Sequence, residues 1–176
     1  MTRLRVVAGL AAMLTALVLQ AGLVAPVTVP VPVSLPAVLI AAVALVDGPA
    51  AGLSLGFAAG LIADLGSRHP AGVLALAWLA LGLAAGQLAG RRSVRADAAV
   101  VAVLCAATAL GSGMLLTVLH ADGATAVAAL RGLVPAGLAD AVLALAVVPI
   151  VRRFLNADAL RPPAPLRELV LGGSRG

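Results

Sequence analysis

The 176 residues include 62% hydrophobic and only 11% charged side chains, with a mean hydropathy of +1.15, a balance that excludes an aqueous catalytic domain and places the chain among integral membrane proteins. The formal charge of +5 derives its positive side entirely from arginine, and without exposed aromatics or a basic face it argues for membrane orientation rather than nucleic-acid binding. With no lysine there is no phosphate-binding loop, which excludes a nucleotide-driven motor.

Apolar segments bounded by charge or proline fall at residues 4–25, 31–46, 49–65, 71–90, 98–119 and 133–151, and predict an all-α polytopic protein: a bundle of six transmembrane helices over 1–155 with a short tail over 156–176. The first segment follows Arg3 and Arg5, as a secretory signal would. Its apolar run of about twenty residues exceeds the ~7–15 of a signal core, and Gln20 interrupts it before any small-x-small site, so it is expected to stay as a helix. The second follows a proline-rich stretch and contains Pro32 and Pro36, so its helical part is expected to begin near Leu35. Asp47, Gly48 and Pro49 then form a tight turn in which Asp47 can cap the third helix and Pro49 occupies its first turn.

The third segment carries Gly48, Gly52, Gly56 and Gly60 at four-residue spacing, with Asp64 at the next step. Glycine costs a water-exposed helix roughly 1 kcal/mol relative to alanine, so four of them point to close backbone approach between membrane helices. Positions four apart drift by ~40°, so the stripe winds around its partner. Gly82, Gly86 and Gly90 repeat the spacing on the fourth segment, which predicts that the two pack on each other; the plainer alternative is accidental spacing in a glycine-rich chain. Asp64 is either an interfacial carboxylate paired with Arg68 or a contact for a partner at the external mouth of the bundle. Trp78, alone in the fourth segment, reads as bundle filling, and Cys105 in the fifth as a buried thiol.

Asp140 has two readings. If the last helix starts at Leu133 it lies ~10 Å inside and must face protein or water; if Pro135 and Gly137 delay the start to Ala136, it is a first-turn acid favoured by the helix dipole. Together with Arg68 and Arg131 on external turns, Asp64 and Asp140 form the set of candidate partner contacts. The arginines test the span count. With six crossings and a cytoplasmic amino terminus, Arg68 and Arg131 alone are external and the other ten of the 12 are inside; a single crossing over 31–65 would reverse the bias.

Enzymatic chemistry has no foothold. His69 and His120 lie on separate turns with no ligand partners at metal spacing, no serine stands in a G-x-S-x-G context, and no acidic pair suggests hydrolysis, so no cofactor, metal or catalytic residue is expected.

Gly56, Phe57, Gly60, Leu61 and Asp64, followed by Gly72 and a long apolar helix, carry a Gly-Phe-x-x-Gly-Leu-x-x-Asp pattern that resembles the MreD family of bacterial rod shape-determining membrane proteins. The detailed match covers about residues 47–90, and the remainder agrees in hydropathy and span count. The resemblance implies a non-enzymatic multi-pass protein of the bacterial plasma membrane, and the arginine bias puts both of its termini in the cytoplasm. It would work with a single-span MreC-like protein, and through it with MreB, RodA and a class B penicillin-binding protein, in lateral wall synthesis. The family's architecture is also similar to the substrate-binding subunits of energy-coupling-factor vitamin transporters, which gives an alternative function. A buried vitamin site wants aromatic walls and convergent polar groups, and this chain has two Phe, one Trp and no Tyr.

Overall fold

The computed structural model describes residues 3–24, 33–66, 72–90, 93–120 and 123–156, and the statements below concern these. They form six α-helices and no strand: α1 (Arg3–Leu19), whose last turn widens into a π-helical turn (Gln20–Val24), α2 (Leu35–Asp47), α3 (Pro49–Leu65), α4 (Val73–Gln87), α5 (Val94–His120) and α6 (Gly123–Leu155).

The shortest helix is the hub. α2 has 13 residues, about 20 Å of rise, against a hydrocarbon core of about 30 Å. It is apolar all round, with Val38, Ile40, Ala41 and Ala44 fully buried, and it touches all five other helices. A helix apolar on every face must be surrounded, and here the surroundings are protein. Its start at Leu35 agrees with the proline argument: Ser34 is the N-cap, its hydroxyl accepting from the Ala37 amide at 3.4 Å, and Pro36 sits in the first turn where no amide is needed.

One residue, Gly48, separates α2 from α3. With φ at +88° it reverses the chain in a single step, a conformation that L side chains rarely adopt. This corrects the expectation for Asp47, which closes α2 instead of capping α3: the N-cap is Gly48 itself, with no side-chain hydrogen bond, and Pro49 follows in the first turn as expected.

The larger correction concerns α6. It starts at Gly123, ten residues before the apolar run at 133, and continues through both Pro135 and Pro149. The apolar run marks where the chain suits lipid, whereas the helix continues through the alanine-rich stretch before it because alanine is the strongest helix former. At 33 residues, or about 50 Å, α6 exceeds the bilayer thickness. Asp140 is therefore mid-helix, and the first-turn reading of it fails.

α3 and α4 pack more extensively than any other pair, followed by α5 and α6. The core runs through their shared interior and includes Leu55, Ala59, Trp78, Leu81, Val101, Cys105, Ala144 and Val148, so Trp78 and Cys105 are buried filling. Of the described segments, Val94–Leu115 is long and apolar enough to cross a membrane; Val7–Gly22, Leu35–Asp47, Pro49–Leu65 and Val73–Gln87 are apolar but shorter.

Candidate functional site

The glycine spacing becomes a seam between α3 and α4. A Cβ on Gly52 would overlap the carbonyl of Gly82, one on Gly56 would lie 2.7 Å from the carbonyl carbon of Trp78, and one on Gly60 would lie 2.6 Å from the carbonyl oxygen of Leu74. Gly86 closes the far end against Pro49, 2.5 Å from its nitrogen. Each step of four forward on α3 is thus matched by about four backward on α4, as two antiparallel helices in backbone contact require. Small residues permit this approach, which substitutes dispersion between backbones for the hydrophobic drive that lipid removes. Gly48 borders the seam through its backbone, its carbonyl carbon 2.8 Å from where a Cβ on Gly86 would stand, while a Cβ on Gly48 or Gly90 itself meets nothing within 4 Å among the described residues.

At the other end of the same stripe, Asp64 turns inward. It is only 4% exposed, and its carboxylate accepts from three backbone amides that begin α4: Gly72 at 2.9 Å, Leu74 at 3.1 Å and Ala75 at 3.0 Å. The first amides of a helix have no internal acceptor, and a carboxylate there satisfies them while meeting the positive end of the helix dipole. Gly72, at φ +100°, supplies the left-handed residue that brings these amides round to Asp64. So Gly56, Gly60, Asp64 and Gly72 act as one device that clamps α3 to α4. Phe57 and Leu61, the remaining members of the pattern, point the other way and are 48% and 42% exposed.

Two polar contacts escaped the sequence reading. At the start of α2, the Gln20 side chain donates to the Val33 carbonyl at 2.7 Å and accepts from the Leu35 amide at 2.9 Å, while Asp140, 4% exposed, accepts from the Ser34 amide at 3.1 Å. Gln20 and Asp140 together hold this backbone from two sides. At the opposite end, Asp97 in the first turn of α5 is fully buried and paired with Arg152 in the last turn of α6. Its Oδ1 has no hydrogen-bond partner among the described residues. The sequence signal for both was a polar residue inside or beside an apolar run, with no indication of the distant partner.

Of the four candidate partner contacts, Asp64 and Asp140 are each 4% exposed and accept hydrogen bonds from backbone amides. Arg68, and with it the Asp64–Arg68 pair, lies outside the described residues, as do His69, the tail over 157–176 and the side chains of His120 and Arg131. Among the described residues no group of three or more His, Cys, Asp or Glu side chains is placed to hold a metal ion.

An inward-facing glycine seam closed by an aspartate cap defines a helical protein whose distinguishing motif is architectural. A family model described as rod shape-determining protein MreD matches residues 2–157, and the chain belongs to the MreD family, a family of shape-determining structural membrane proteins. Neither curated proteins nor solved structures gave a match, so the similarity to energy-coupling-factor subunits finds no support.

Proposed function

We propose that the protein is a non-enzymatic scaffold of the bacterial cell-elongation machinery, crossing the plasma membrane six times with both termini cytoplasmic, and that it contacts an MreC-like single-span partner through the outer half of α3. The observation that carries this reading is the division of labour within the family pattern. Its small and acidic positions are spent inside the α3–α4 clamp, while Phe57 and Leu61 have no internal role and extend outward, flanked by exposed Ile62 and Leu65. A rigid hairpin that presents an apolar ridge suits a partner helix, because little side-chain or backbone order must be gained on binding. The periplasmic part of the partner would meet the external turns carrying Arg68 and Arg131, and MreB, RodA and a class B penicillin-binding protein are reached directly or through that partner. The bundle occupies 1–155 and the tail, 156–176, lies in the cytoplasm.

Affinity purification from a rod-shaped host tests this. Phe57→Ala with Leu61→Ala should lose the single-span partner and give wide or round cells, whereas Leu76→Ala with Leu83→Ala, also exposed on α4, should keep both partner and shape. A deletion strain of normal shape, with a stoichiometric small molecule recovered from the purified protein, would sink the scaffold reading.

A further inference from the structure

An apolar groove of about 470 Å³ opens between α1, α2, α3 and α6, at the end of the bundle where α1 begins and α6 finishes. Val43 and Leu55 form its buried floor, Ala12 and Phe154 its exposed lips, and Asp47 is the one charged residue in its lining among the described residues. The helices that bear the lips are rich in positive charge at this end. Arg3 and Arg5 precede Ala8 on α1, and Arg152 and Arg153 follow Val151 on α6. Arg152 is held by Asp97, whereas Arg153 is exposed and makes no ion pair among the described residues.

From this juxtaposition of an apolar slot with two helix ends whose sequence carries arginines just outside its lining we infer that the groove holds an acyl chain of an anionic phospholipid, with the headgroup at the ends of α1 and α6. The inference rests on the membrane reading proposed above. An acyl chain asks nothing of the groove but apolar contact, and basic pockets between helices on the cytoplasmic side select anionic headgroups. The volume falls within the roughly 300–1,000 Å³ of small-molecule sites, whereas a helix ~10–12 Å across needs a long trough. The opening between α4 and α5, about 410 Å³ and lined by Ala77, Ala107 and Thr108 among others, has no charged residue in its lining among the described residues and serves as the internal control.

The test is native mass spectrometry of the full chain extracted from the membrane fraction, titrated with phosphatidylglycerol and with phosphatidylcholine of matched acyl chains. The wild type should retain one phosphatidylglycerol and prefer it at least about tenfold, and Arg5→Gln with Arg153→Gln should reduce that preference about fivefold per arginine. Ala12→Trp, which fills the slot from its exposed lip, should abolish retention of both lipids, and Ala8→Phe serves the same purpose if the first variant fails to fold by circular dichroism. Ala107→Trp should change nothing. Equal retention of the two lipids by the wild type, or undiminished retention in the filled variants, overturns the inference. So does a filled variant that loses the protein partner and keeps the lipid, or a deletion of 157–176 that raises lipid retention tenfold, since these identify a helix or the tail as the occupant. Protein in the membrane fraction with no lipid preference defeats this inference alone; protein in the soluble fraction defeats the membrane reading as well.

Discussion

Asp64 and Gly72 are eight residues apart, yet each is needed for the other's role: the glycine turns the chain, and the turn delivers three amides to the carboxylate. Removing the acceptor leaves those donors unsatisfied in a buried position, at a cost of about 1–3 kcal/mol for such a group. Asp64→Ala should therefore lower the thermal unfolding midpoint in detergent clearly, and Asp64→Asn, which keeps one carbonyl oxygen, should lower it less. Gly56→Leu and Gly60→Leu should be at least as damaging as the ~1–3 kcal/mol typical of overpacking, because the obstruction is backbone that cannot rotate away. Gly9→Leu is the control, since a Cβ there meets only the Leu55 side chain at ordinary contact distance, 3.7 Å. Equal midpoints for all three glycine variants would refute the seam's energetic role. The glycine stripes were legible in the sequence because spacing within one helix is local information. The use of Asp64 was not, because it depends on a turn whose direction becomes apparent only once α4 is folded back.

Among the elements, α5 and α6 are tied near the α5 start by Asp97 and Arg152, two residues 55 apart in the sequence. A buried ion pair is weak as a source of stability but expensive to break by halves, typically about 3–5 kcal/mol when one partner is removed. Asp97→Leu or Arg152→Met alone should destabilise the bundle, and the double variant should recover most of the loss, as a double-mutant cycle of unfolding midpoints would measure. Additive losses would mean that the two side chains act independently. In the sequence Arg152 is one of ten arginines that signal orientation, and Asp97 is one acid beside an apolar run, with nothing to link them. The start of α6 is hidden from hydropathy for a related reason: hydropathy reports lipid contact, while helix continues wherever alanine sustains it, and Gly123 to Gly132 is such a stretch.

For the whole molecule, the six-helix count and the start of α2 were readable because prolines and arginines punctuate the chain. The order of packing was not, since α2, the second and shortest segment, contains nothing in its own composition to mark it as the hub rather than one more crossing. The orientation proposed here has a direct check. Reporter fusions after Arg68 should show periplasmic activity and fusions after Arg153 cytoplasmic activity, because ten of the 12 arginines then lie inside. Periplasmic activity at Arg153 would refute it.

That α2 is enclosed bears on how the molecule is made. Its neighbours include α4, α5 and α6, all synthesised after it, and the carboxylate that receives the Ser34 amide belongs to the last of them. The ribosome therefore delivers the hub before most of its rim. On the six-span topology proposed above, one flank of α2 would have only acyl chains to touch until α6 is in place, and the backbone at its start would lack the Asp140 acceptor. On that topology, arrival of the final helix would complete the molecule, and a half-made chain would present an apolar cylinder shorter than the bilayer core with its starting end partly untied.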